Sequence, residues 1–366
     1  METDMTTSFE PHVESSAQIT AHAMGTAFVA TGASQTRAKR IGDREKTAAR
    51  LLRSAVERSY DAEVDIDWDE PWVGGKHFAP EHRLSLYGTR IWDKLSHEQR
   101  IELSRQEMAS IFSFGIFAEA SLSSILFRCV ATGALTDDAT RYMLTEIGDE
   151  TRHSTMFSRA INKLGVKPLL LPRWVTQLFI ALVNVVPTGA AIYGWTLLIE
   201  EILDRLQREA TLNDSMQPHL RQLFKIHVLE EARHITFARE ELVRSYQASG
   251  RSMRALHRML IALVGVIVLP LLFHPVAYRR ALGMSPLRGL LVAQLNPNYR
   301  ANVQFACEPM IRYFHEAGLI TGKLTLRLWK LTRALPDDIH AEAFGAPRKQ
   351  RTPSLVGRGF RKLIGV

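Results

Sequence analysis

The chain has 366 residues, 46% of them apolar and 23% charged, enough to bury a large core. Its two cysteines, Cys129 and Cys307, exclude a disulfide framework and point to a reducing, cytoplasmic setting. The net charge of +8 comes largely from the end of the chain, where nine Lys or Arg face three acids between Arg327 and Val366; with no nucleic-acid motif this reads as a solvated tail and excludes a nucleic-acid surface.

In chain order, residues 1–40 are rich in Ser, Thr, Ala and His with weak periodicity and are expected to be disordered. Their acidic start, Glu2 and Asp4, lacks the basic run of a secretory signal. A helix is expected over Asp43–Tyr60, then a connector with Pro and Gly over Asp61–Leu95. Ser96 starts a long helix to about Val130 that carries Glu119, and the next helix, Asp137 to Leu164, carries Glu150 and His153. Pro168, Pro172 and Pro187 punctuate the approach to the helix of Glu200. After a break at Asn213–Ser215, a helix to about Ser249 carries His227, Glu231 and His234. Two or three further helices are expected between Ser252 and Ala334, interrupted by Pro286 and Asn296-Pro297. Pro336, Pro347 and Pro353 mark 336–366 as a basic, flexible tail, with a short amphipathic stretch at Leu355–Ile364. Helical periodicity dominates and β-alternation is scarce, so the fold class is all-α, with one helical domain over 41–335.

Two uncharged stretches, Trp174–Ile199 and Met259–Tyr278, are long enough to span a bilayer. The first holds Asn184, Pro187 and Gly189 and runs into Glu200; the second is broken by Pro270 and Pro275. Buried bundle helices explain both more simply.

One pattern dominates. Glu119 is followed after 29 residues by Asp149-Glu150-Thr151-Arg152-His153, and Glu200 after 29 residues by Glu230-Glu231-Ala232-Arg233-His234. The second set repeats the first at an offset of 81 residues. Glu150 and His153, like Glu231 and His234, stand at i and i+3 and leave one helix face. A chain that climbs about 12 residues, turns and descends about 13 returns to its starting level at ~1.5 Å per residue. Two such hairpins set four carboxylates and two imidazoles around one point, which is how a four-helix bundle builds a two-metal core.

A lone Glu-x-x-His is usually a solvated polar face. Here, however, Glu119 sits among Ile116, Phe117 and Leu122, and Glu200 among Leu197, Leu198 and Ile202, where a carboxylate is costly unless paired or metal-bound. Glu201 and Glu209 compete with Glu200, but the common offset favours Glu200. Carboxylates with few imidazoles suit Fe or Mn better than Zn, and a pair of such ions can activate dioxygen. Asp149 and Glu230 are natural acceptors for the imidazole N–H of the opposite hairpin, and Arg152 and Arg233 would balance the charge behind them. His227, four residues before Glu231, shares the ligand face; on its own it reads equally as a core histidine.

This E-x29-[DE]-E-x-R-H pair resembles the ferritin-like di-iron carboxylate oxygenases, and most closely the p-aminobenzoate N-oxygenase (AurF) family. The segment Trp68–Trp92, with Asp65-Ile66-Asp67-Trp68-Asp69 at its start and Leu84-Ser85-Leu86-Tyr87-Gly88 within it, also resembles that family's entry region, and the likeness covers roughly residues 60–325. One departure is Glu230, where the first half has Asp149. The resemblance implies a ferritin-like four-helix bundle with a dimetal-carboxylate core, extended by N- and C-terminal helices. It implies a seventh ligand at His227, two Fe ions, O2 as co-substrate, a homodimer, and oxidation of an arylamine through hydroxylamine toward nitroso or nitro products. Electrons would come from an external reductase or ferredoxin-type donor, since no flavin or nicotinamide motif is visible. Hydroxylation or desaturation of an aliphatic substrate at the same site, and a non-enzymatic helical binding protein, stand as alternatives. A radical-generating subunit would have Tyr at the position of Phe157.

Overall fold

A computed structural model describes residues 41–345. The segment 1–40, expected to be disordered, and residues 346–366, most of the expected tail, lie outside the described residues.

Among the described residues the fold is all-α. Helix α1 (Arg44–Glu57) and the short α2 (Ala62–Asp65) precede a connector with two single 3-10 turns. The central helices are α3 (His97–Thr132), α4 (Asp138–Leu164), α6 (Ala190–Thr211) and α7 (Pro218–Ala248), with α5 (Arg173–Val185) between the two pairs. Local chemistry sets their ends. Ser96 and Gln99 form a reciprocal capping box at the start of α3. Asp137 caps α4 by accepting from Thr140 N at 2.8 Å, and Gly165 closes it in the left-handed conformation. Pro218 opens α7 at a position whose N–H would lack an intrahelical acceptor anyway. The connector straps the second hairpin turn: His77 N donates to Ser215 O and Gln217 N to His77 O.

Within each pair, α3 with α4 and α6 with α7, the helices pack closely; across the pairs they meet more sparsely, α4 against α7 and α3 against α6. That spacing leaves room for side chains at the centre of a ferritin-like four-helix bundle. The apolar core is accordingly divided. One cluster includes Leu122, Tyr142, Ile147, Ile202 and Phe237; the other includes Met108, Phe112, Phe157, Leu220 and Phe224. On α4 and on α7, the expected site residues 149–153 and 227–234 fall between the two clusters.

After α7 the chain forms α8 (Arg251–Val268), α9 (Val276–Leu282), α10 (Pro286–Leu295), α11 (Pro297–Glu316), α12 (Lys323–Thr332) and α13 (Asp337–Phe344). Five of these lie where two or three were expected. Pro286 and Pro297 begin helices rather than only ending them, because a missing N–H costs nothing in a first turn. Helix α13, with Ile339 buried, occupies the stretch assigned from sequence to the flexible tail. Neither uncharged stretch forms one continuous helix: the first breaks between Val185 and Ala190, the second after Val268. The one helix among the described residues long and apolar enough to cross a membrane is α3, and half of that apolar window is buried in the bundle.

Candidate metal centre

The bundle brings all seven expected ligands together, each at most 2% exposed. Two sets of potential ligand atoms gather there. Glu119, His153, His227 and Glu231 form one, and Glu146, Glu150, Glu200 and His234 the other, the atoms within each set lying within 4.8 Å of one another. Glu150 and Glu231 join the sets. His153 Nδ1 lies 3.4 Å from Glu150 and 3.2 Å from Glu231, and His234 Nδ1 lies 3.1 Å from Glu150 and 3.5 Å from Glu231. His227 Nε2 lies 3.4 Å from Glu231 and 3.7 Å from Glu119.

The far nitrogen of each imidazole is held by the other hairpin. His153 Nε2 donates to Glu230 at 2.9 Å, and His234 Nε2 to Asp149 at 3.2 Å. These bonds fix each ring so that its Nδ1 faces inward. Arg152, half exposed, pairs with Asp149 and, at 3.1 Å, with Glu230; buried Arg233 pairs with Asp149 at 3.1 Å and reaches Glu230 at 3.7 Å. The competitors of Glu200 point elsewhere: Glu201 is held by Arg239 and Glu209 by Arg83. His257 serves another purpose, its Nδ1 accepting from Ala191 N at the start of α6. His315 lies 3.3 Å from Glu342, away from the centre.

The electrostatics of the centre call for cations. Burial, with Glu150 beside one and Glu231 beside the other, pushes the Glu119 and Glu200 carboxyls well above the ordinary range. Burial raises Glu146 to about 8. Burial opposes ionisation of Glu231, yet the surrounding imidazoles of His227, His234 and His153 hold it well below the usual value. Burial and the neighbouring His153 lower His227 to about 4, so its ring is neutral. Burial also works against charge on His153, but the carboxylates of Glu150, Glu230 and Glu231 packed around it raise it well above the ordinary value. Several buried polar atoms have no hydrogen-bond partner: both carboxyl oxygens of Glu200 and Glu231, both ring nitrogens of His227, His234 Nδ1, and one oxygen each of Glu119, Glu146 and Glu150. Orphaned oxygens and imidazole lone pairs converging in a dry interior are costly by themselves, and the residues present fit two divalent cations.

Sequence reasoning misses Glu146. Its signal was available, because it stands four residues before Glu150, as His227 stands four before Glu231. It also misses Gly115. A Cβ there would meet the Phe157 ring at 3.0 Å, and that ring packs 5.0 Å from the His227 ring, so the absent side chain lets an apolar lid close over the imidazole.

A narrow apolar cavity, open at one side, lies beside the centre. Leu203, one turn beyond Glu200, and Phe224, one turn before His227, line its wall, with Arg83 and Asn302 among the polar residues. Its buried carboxyl, Glu107, accepts from Ser85 N at 3.1 Å and from Ser85 Oγ at 2.5 Å, and burial raises it to about 7.

Comparison with known proteins agrees with this geometry. An uncharacterized protein of Mycobacterium tuberculosis and one of Mycobacterium bovis are each 30% identical over 202 residues, which is 53% of this chain and 59% of theirs. The match thus spans less than two thirds of those relatives. A family model described as P-aminobenzoate N-oxygenase AurF matches residues 42–318, a span that holds the whole bundle and both ligand sets. The chain belongs to the p-aminobenzoate N-oxygenase AurF family, a family of oxygenases.

Proposed function

We propose that the chain is a non-haem di-iron monooxygenase that N-oxygenates an arylamine, with its metals held by Glu119, Glu150, His153, Glu200, His227, Glu231 and His234. The observation that carries the reading is the pair of buried ligand sets joined through Glu150 and Glu231, in a chain of this family. Two bound iron ions would supply the reduction of dioxygen and the transfer of an oxygen atom, with electrons from an external reductase or ferredoxin-type donor. Manganese suits the same donors.

The chain's own residues do the rest. Glu150 and Glu231, each close to both histidines, would be shared between the two ions, while Glu119 and Glu200 would each serve one of them. Asp149 and Glu230 hold the ring orientation of the two histidines. The cavity walls exclude water from the substrate side, and aromatic rings from Phe224 through Phe112 to Phe157 fill the path toward His227. An aromatic amine matches apolar walls with one polar carboxyl, and Glu107 would orient its polar end. The nearly continuous apolar lining also favours a second reading, hydroxylation or desaturation of an aliphatic substrate. The reading carries a cytoplasmic homodimer with no nucleic-acid partner, supported by the two buried free cysteines and the family likeness.

The test loads the protein with iron, reduces it without oxygen, and adds 18O2 with a panel of arylamines and medium-chain aliphatic compounds. Labelled hydroxylamine, nitroso or nitro products support N-oxygenation, and labelled alcohols or unsaturated products support the second reading. A protein that binds two irons yet oxidises nothing in either class sinks both.

A further inference from the structure

We propose that Glu146 is an eighth protein ligand of the metal centre, binding the ion held by Glu150, Glu200 and His234, and that it is the structural counterpart of His227. The proposal rests on the di-iron reading above.

Three observations converge on it. First, the repeat pairs residues 119 with 200, 150 with 231 and 153 with 234 at one offset of 81, and 146 with 227 falls on the same offset. Each ligand helix therefore carries three positions on one face, at i−4, i and i+3 relative to the bridging carboxylate. In α7 they are His, Glu and His; in α4 they are Glu, Glu and His. Second, ligand atoms of Glu146, Glu150, Glu200 and His234 all lie within 4.8 Å of one another, as do those of Glu119, His153, His227 and Glu231. Glu146 occupies in one set the place that His227 occupies in the other. Third, Glu146 is 1% exposed and its Oε2 has no hydrogen-bond partner, although it lies among polar groups. A carboxylate that only filled space in the core would be paired or replaced by an apolar side chain.

The consequence is a pair of unequal ions. Beyond the shared Glu150 and Glu231, one would be bound by one carboxylate and two imidazoles, the other by two carboxylates and one imidazole. The second site carries one more negative charge and one fewer neutral donor, so it favours the higher oxidation state. When the pair holds one ferrous and one ferric ion, the ferric ion would sit beside Glu146.

Iron stoichiometry, chelator competition and Mössbauer spectra of the full-length protein test this without any turnover. Wild type is expected to hold two irons per chain in two distinct environments. E146A is expected to release one ion at a chelator concentration lower by about 10–100-fold while keeping the other. H227A should weaken the opposite member of the pair, so the two variants lose different spectral components. E146H is expected to restore binding and make the two spectral components more alike. If E146A does not fold, E146Q decides, since its amide matches the carboxylate in shape but is a far weaker ligand. E146A or E146Q retaining both ions with wild-type affinity and spectra would overturn the role of Glu146 and leave the di-iron reading intact. A wild-type protein that takes up no iron pair would overturn that reading and this proposal with it.

Discussion

His227 lies against Glu119 and Glu231 with both ring nitrogens unpaired, and its neutral ring can offer a lone pair to a metal. His227→Ala is expected to keep the helical fold, judged by far-UV circular dichroism, while one iron binds about 10–100-fold more weakly. Unchanged metal content and spectra would remove it from the ligand set. Glu107 sets a second expectation. Its carboxyl is raised from the ordinary 4.5 to about 7 by burial, with Ser85 as its hydrogen-bond donor and the Tyr278 and Tyr299 hydroxyls as its polar company. A folded-state value above the unfolded one means full stability below about pH 4.5 and progressive loss as pH rises toward 7. Glu107→Gln is expected to flatten that loss, and denaturant titrations at pH 5 and pH 8 check it; equal pH slopes in both proteins would refute it. The metal-binding positions were legible because a repeated spacing needs no structure to be seen. Glu107 was not, because a buried acid beside a serine 22 positions earlier leaves no periodic trace.

At the scale of elements, all four bundle helices were foreseen, and the bounds read for the first two, near Ser96, Asp137 and Gly165, fall within about two residues of those observed. These ends rest on local chemistry, which sequence displays directly. The helices after Arg251 were undercounted because proline was read only as a breaker, and tertiary packing decides whether a proline ends one helix or starts the next. Ser96→Ala, which removes half of the capping box of α3, is expected to cost about 1 kcal/mol in denaturant unfolding. Gly115→Ala is a sharper test of the interface between α3 and α4. The added methyl would meet the Phe157 ring at 3.0 Å, and that ring also stacks on Phe112. A loss of about 1–3 kcal/mol is expected from overpacking, with altered metal spectra if Phe157 shifts against His227. A fully stable Gly115→Ala with unchanged spectra would show that the ring has room to retreat.

For the whole molecule, a polar layer crosses an otherwise apolar bundle, and its stability should depend on what fills that layer. Ferrous iron at a concentration 100-fold above its dissociation constant is expected to stabilise the fold by about 2.7 kcal/mol per site, seen as a rise in melting temperature that chelation reverses. Equal melting temperatures with and without iron would show that protons neutralise the layer as well as metals do.

The crosswise hydrogen bonds, His153 to Glu230 and His234 to Asp149, have a wider meaning. Each hairpin supplies the imidazole that its partner must aim, so neither half of the chain owns a finished coordination site. Capture of an ion pair would then require both arms to have docked.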